Sequence, residues 1–220
     1  MVREKCCTPT VRQEEASSGS RGWSPQDAEV LRSPGLALPA TLHDFQIELA
    51  NVDSGENRKV SLRVARHPSE SMERLWLRVL AQCWQWRDGI EQGPGLSDPD
   101  APDVLARDLT GETRLWVRVG RPDAARVQQE ADRNRRADVA VLFDSPRRME
   151  AFVEEARAAG LERLGRVALA AVDPAVLQAL AASDERRARL SLTIVGDHLY
   201  VERDGRSFDG PLVRAYIPGS

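Results

Sequence analysis

Lysine is almost missing from this chain. Of its 31 basic residues only Lys5 and Lys59 are lysine, and the rest are arginine. Mutational bias in a GC-rich genome is the plainest source of that imbalance. It still has a chemical consequence, because a site that needs a lysine has almost none to choose from. There is no Gly-x-x-x-x-Gly-Lys loop and no Gly-x-Ser-x-Gly elbow, which disfavours P-loop nucleotide hydrolysis and serine-hydrolase chemistry. Cys-x-x-Cys is absent too. Three cysteines cannot form a closed disulfide set: Cys6 and Cys7 are adjacent with no further partner nearby, and Cys83 sits in a helical pattern. His43, His67 and His198 are scattered singly, a poor pattern for a histidine metal site. No apolar run approaches a membrane helix, and MVREKCCTPTVRQEE lacks the apolar core of a signal peptide, so a cytoplasmic protein is expected. A strong charge of one sign is also absent. With 34 acidic residues the net charge is -3, unlike the basic balance of a dedicated nucleic-acid binder.

Residues 1–39 are rich in Ser, Gly, Pro, Arg and Glu and read as a disordered N-terminal extension. From Thr41 the elements become legible. Thr41–Asn51 alternates apolar and polar residues as a half-buried strand does, and 58–65 reads as its hairpin partner across Ser54-Gly55. Ser69 can cap a helix to about Arg87, in which Met72, Leu75, Trp76, Val79, Leu80 and Cys83 follow the 3.6-residue period. Residues 89–103 look like a loop and Thr113–Val119 like a strand. Pro122 can open a helix to about Arg136, and 139–143 reads as a strand buried on both faces. Ser145-Pro146 opens a helix ending at Gly160; Val167–Val172 is a strand, and Asp173-Pro174 opens a helix to about Ser183. Arg187–Val195 and His198–Arg203 flank the hairpin signal Gly196-Asp197. The alternation predicts an α/β fold, a mixed central sheet flanked by helices with a C-terminal β-hairpin. The domain is expected over 40–208, followed by a C-terminal tail over 209–220.

Three short pieces are distinctive: Arg66-His67-Pro68-Ser69-Glu70, Gly95-Leu96-Ser97 and Arg107-Asp108-Leu109-Thr110-Gly111. With the strand that ends Val119-Gly120 before Pro122-Asp123, they resemble the bacterial YaeQ family over roughly residues 41–203. Their order and spacing argue against chance agreement. That family resembles the PD-(D/E)XK, restriction-endonuclease-like fold, so the resemblance implies a variant of that fold and a nuclease ancestor.

A nuclease of that fold uses an acid at the end of one strand, a second acid on the next strand, a lysine two residues later, and often a helix glutamate. The carboxylates hold Mg or Mn, which activates a water, and the lysine stabilises developing charge. By resemblance the helix glutamate falls on Glu70 and the first acid on Asp108. The second acid falls at position 118, where this chain has Arg118. A further family acid falls on Arg114, the lysine on Gly120, the glutamine that often follows that glycine on Arg121, and a helix lysine near Gln129. Glu70 and Asp108 would then be catalytic remnants.

Strand alternation puts Arg114, Trp116 and Arg118 on one face. A cation at 118 would repel a metal and could pair with Asp108 or Glu70. At an effective dielectric of about 20, charges about 4 Å apart attract by about 4 kcal/mol before desolvation. Plainer explanations exist for each residue. Glu70 and Glu73 suit a helix's first turn, Asp108 can bond a turn backbone, and His67 before Pro68 can simply pack and hydrogen-bond. Asp98, Asp100 and Asp103, with prolines at 99 and 102, lack the glycine and distal glutamate of a calcium loop. Trp76, Trp84, Trp86 and Trp116 suit core packing.

The expectation is a degenerate nuclease-like site without a cofactor, acting by binding a protein or nucleic-acid partner and no membrane. His67, Arg114, Trp116, Arg118 and Arg121 are the candidate binding residues. The alternative is a Mg- or Mn-dependent nuclease with a relocated acid, Glu112 or Asp123, in which Glu70 and Asp108 would hold the metal.

Overall fold

A computed structural model describes residues 39–98 and 100–217. The expected N-terminal extension therefore lies almost wholly outside the described residues. Ten strands alternate with four helices: β1 Thr41–Asn51, β2 Glu56–Arg66, α1 Met72–Trp84, β3 Ile90–Gln92, β4 Val104–Arg107, β5 Thr113–Val119, α2 Ala124–Arg133, β6 Asp138–Phe143, α3 Pro146–Ala158, β7 Val167–Val172, α4 Pro174–Ala181, β8 Arg187–Val195, β9 His198–Arg203 and β10 Arg206–Ala215. The strands join in the order β2-β1-β8-β9-β10-β7-β6-β5-β4-β3. Pairs β1–β8, β5–β6 and β6–β7 are parallel and the others antiparallel.

The two halves of the sheet are covered differently, and the sequence says why. β6 and β7 are continuous apolar runs because both faces are buried. Ala140, Leu142, Ala170 and Val172 face one core, while Val139, Val141, Phe143, Val167 and Leu169 face the other. β1 alternates because only one face is covered. Phe45, Ile47 and Leu49 are buried, while Gln46 and Glu48 are exposed.

Helix α1 lies inside the larger core, and every residue from 75 to 83 is buried, Arg78 and Gln82 included. The sheet curls around it until its two edges approach. Arg78 fills the seam: Nη1 donates to Ala65 O at the end of β2 (3.2 Å), and Nη2 donates to Gly93 O just beyond β3 (2.9 Å). One turn on, Gln82 Oε1 accepts from Gln92 Nε2 of β3 at 2.6 Å. These side chains bridge the two edges through partly buried hydrogen bonds.

Three expectations are corrected. The region expected as loop holds β3, with β4 just beyond it. The segment expected as a tail is the strand β10, which links the sheet's halves. Its first part pairs with β9 as far as Pro211↔His198, and its second part pairs with β7 from Leu212↔Val172. Pro211 sits at the changeover, where a missing N–H interrupts neither ladder. The cap of α1 is Ser71 rather than Ser69, its hydroxyl accepting from Arg74 N at 3.2 Å.

Candidate functional site

Two acids are buried beside α1. Glu70 enters from the turn before the helix. Its own N–H donates to His67 O at 2.8 Å, and His67 N–H donates to Glu70 Oε2 at 3.3 Å. The His67 ring takes a bond with Ser69 Oγ at 2.7 Å. The His-Pro-Ser-Glu piece is thus a closed turn that aims Glu70 inward, and His67 serves that turn. Arg78 Nη1 meets both Glu70 oxygens, at 3.3 and 3.2 Å. Gly95, at φ +62, packs on the same guanidinium; a Cβ there would stand 2.8 Å from Arg78 Nη1. This accounts for the Gly-Leu-Ser piece, because a side chain at 95 would displace the arginine.

The second buried acid is Asp103, fully shielded just before β4. Its backbone N–H donates to Val117 O and its carbonyl accepts from Gly93 N, both at 2.9 Å. Oδ2 accepts from Val119 N at 2.9 Å, and Oδ1 accepts from Arg74 Nη2 at 2.6 Å. Arg118 Nε stands 3.8 Å from Oδ2, while Arg118 Nη1 donates to Ala101 O. Arg74 ties the two acids together, since its Nε also lies 3.7 Å from Glu70 Oε1. Two carboxylates and three guanidiniums therefore make one buried network of paired charges.

Strand register explains why Asp103 and not Asp108 meets Arg118. β4 runs antiparallel to β5 with Val104↔Val117 and Leu105↔Trp116. The start of β4 therefore lies beside position 118, and its end lies at the far end of β5. Asp108 sits there, in the hairpin turn. Oδ1 accepts from Thr110 N (2.9 Å), Thr110 Oγ1 (2.5 Å) and Glu112 N (3.0 Å), and Oδ2 accepts from Arg114 Nε at 2.8 Å. The Thr110 bonds, with those from Arg114 and Glu112, hold its carboxyl down at about 2. The Arg-Asp-Leu-Thr-Gly piece is a self-bonded turn, and the structure does not bring Asp108 to Glu70.

The five expected binding residues do not converge either. Arg114 is held at the hairpin by Asp108 and Glu112. Trp116 is 5% exposed in the core under α2 and α3, and Arg118 lies over its ring at 6.0 Å, so the indole offers no open platform. Arg121 alone of the five is both exposed and without a hydrogen bond or ion pair to another described residue. The relocated-acid candidates are also engaged. Asp123 Oδ1 caps α2 by accepting from Arg126 N at 2.8 Å, and Glu112 meets Arg114 and Arg136. Among the described residues no three His, Cys, Asp or Glu side chains form a metal-ligating group. Cys83 is fully buried, which pushes its thiol up to about 12.

The missed residue, Asp103, carried one readable signal. Among Asp98, Asp100 and Asp103 it alone directly precedes an apolar run that could be a strand. Asp98 Oδ1 instead accepts from Asp100 N at 2.9 Å to close a turn, and Asp100 pairs with Arg126.

This geometry defines a mixed α/β protein whose central helix carries the arginines that pair with two buried acids, Glu70 before the helix and Asp103 beside the end of the parallel strand β5. The chain belongs to the YaeQ family: residues 36–210 match the family described as YaeQ protein. It is 33% identical over 94 residues to proteins named Uncharacterized protein YaeQ from Escherichia coli (strain K12) and Salmonella typhi. That stretch is 43% of this chain and 52% of each relative, so the match spans about half the length of these proteins. The crystal structure of the YaeQ protein from Xanthomonas axonopodis pv. citri superposes with a TM-score of 0.71 at 28% identity, covering 82% of this chain and 99% of that one. The Pseudomonas syringae YaeQ structure gives 0.70 at 27%, covering 82% and 97%. None of the helices among the described residues is long and apolar enough to cross a membrane.

Proposed function

We propose that this protein acts by binding, through a restriction-endonuclease-like site that has exchanged its metal for arginines. The observation that carries this reading is the engagement of Asp103 by Arg74 at 2.6 Å and Arg118 at 3.8 Å, with Glu70 engaged by Arg78 at 3.2 Å. In the nuclease pattern an acid at the end of one strand, an acid on the next and a helix glutamate converge on a cation. On this reading Asp103, just before β4 rather than at its end, stands with position 118 and Glu70 in those places. The middle acid is an arginine, and Gly120 stands where the lysine would be. Mg²⁺ and Mn²⁺ want several oxygen ligands, whereas here each carboxylate spends its oxygens on guanidinium and backbone N–H donors. The partner is a protein or a nucleic acid in the cytoplasm, engaged without a cofactor.

A Mn²⁺ titration followed by calorimetry, with a nuclease assay on single- and double-stranded DNA and RNA, tests this. The expected result is no saturable Mn²⁺ binding and no cleavage above a no-enzyme control. Stoichiometric Mn²⁺ binding or cleavage that disappears in Asp103→Asn would overturn the reading.

A further inference from the structure

A cleft of about 400 Å³ opens beside the buried network, between the N-terminal turn of α1, the loop after β5 and the entry to α3. Arg74, Arg121 and Arg148 line it together with Gly120 and two acids, Glu73 and Asp144. It lies at the carboxyl ends of the parallel strands β5 and β6, where open α/β sheets bind ligands. On sequence grounds Arg74 and Arg148 belong to different helices and nothing groups them with Arg121.

Each guanidinium has a distinct status. Arg74 is fixed by Asp103 and by donating to Val119 O at 3.2 Å, and a Cβ at Gly120 would lie 3.7 Å from its Nη1. Glycine at 120 suits the backbone there, at φ +86. Arg148 pairs with Asp144 inside the cleft, 43% exposed. Arg121 is exposed and has no hydrogen bond or ion pair among the described residues. The helix entered at Ser145 has no side-chain cap, so its amino end adds partial positive charge that Asp144 offsets in part. A guanidinium unpaired among the described residues, a second one whose ion pair is with the half-buried Asp144, and a helix end without a side-chain cap together suit a compact dianion.

We propose that this cleft binds the terminal phosphate monoester of a nucleotide or of a nucleic-acid strand. The proposal rests on the binding reading above and names the ligand class for that site. Arg121 and Arg148 grip the phosphate oxygens as forked donors, Arg148 turning from Asp144 to do so, while Arg74 stays on Asp103 and sets the wall. A phosphodiester, with one charge and two substituents, fills the same place less well.

The test uses the full chain in EDTA and a short 3′-labelled oligonucleotide, with and without a 5′-phosphate, read by fluorescence anisotropy. The phosphorylated strand is expected to bind about tenfold tighter or better. Arg121→Gln and Arg148→Gln should erase that difference, while Arg114→Gln, at the distant hairpin, should keep it. Arg121 makes no hydrogen bond or ion pair among the described residues, so its variant removes no such bond from the fold. A mononucleotide competing as well as the strand assigns the site to free nucleotides, and weaker competition assigns it to strand ends; either supports the proposal. Equal binding with and without the phosphate, or an unchanged difference in Arg121→Gln, overturns it. So does a phosphoserine peptide that binds as tightly as the strand. Mn²⁺-dependent cleavage would overturn the non-catalytic reading alone, leaving the phosphate preference to stand or fall separately.

Discussion

Arg118 Nε stands 3.8 Å from the Oδ2 of Asp103, a carboxylate with no exposure to solvent. Replacing that cation by an acid would set two carboxylates against each other in a buried site. Such a pair holds a proton more tightly than either acid in the unfolded chain, so its folded pKa is raised. Stability is then intact below the unfolded value, about pH 4, and is lost as pH rises through the folded value. Arg118→Glu should therefore lose Tm relative to the native chain between about pH 4 and pH 7. Mn²⁺ should restore part of the loss in the variant and leave the native Tm unchanged. Parallel Tm–pH curves for the two proteins, measured by differential scanning fluorimetry, would refute the coupling.

Arg78 and Glu70 are 1% and 4% exposed. Removing one partner strands the other charge, which costs about 3–5 kcal/mol. Arg78→Ala and Glu70→Gln should each lower unfolding free energy by an amount on that order. Arg78→Met with Glu70→Leu should cost clearly less than the two single changes summed, because no orphan charge remains. Urea denaturation of the four proteins settles it, with additive losses as the disconfirming result.

Asp108 makes an opposite case, an acid whose bonds are local and exposed. Its carboxyl is held at about 2 against an ordinary 3.8. A lowered pKa contributes stability above the unfolded value, and that contribution fades as pH falls through the folded one. The stability gap between the native chain and Asp108→Asn should be constant at neutral pH and shrink between about pH 4 and pH 2. Phosphate-dependent strand binding should be unaffected. A gap that widens on acidification would contradict the assignment.

Gly95 and Gly111 both have positive φ, +62 and +84. Either changed to Ala should cost about 1–2 kcal/mol in backbone strain. Gly95→Ala should cost more, since its Cβ meets the Arg78 guanidinium whereas Gly111 faces open space. Equal shifts in Tm would show that Arg78 can move aside.

Much of this architecture could be read from the chain, for physical reasons that differ by element. Thr41–Asn51 and Thr113–Val119 were legible to the residue because their alternation or apolar density is unmistakable. β3 and β4 were not, because three and four residues are too few to show a period. β10 hid behind Pro211 and behind a turn at Asp204-Gly205, whose positive φ angles of 53 and 72 suit a hairpin turn between β9 and β10. Of the charges that meet beside α1, Glu70 and Arg118 were named from sequence and Asp103 was not. Motif order pointed to the end of β4, and only antiparallel register reveals that its start faces position 118. Arg74 and Arg78 were invisible for another reason. Arginine on a helix reads as solvent-facing, and only a sheet curled around α1 turns that stripe inward.

That curl has a consequence for synthesis on the ribosome. The wall sheltering α1 from one side is β1, and its parallel neighbour is β8, with Ile47 opposite Leu190. The chain between them must emerge before the pair can form, and such long closures are slow. Until β8 is made, Phe45, Leu75, Trp76 and Leu80 belong to a core with a missing side. A nascent chain halted before residue 187 would present that unfinished surface to chaperones and proteases.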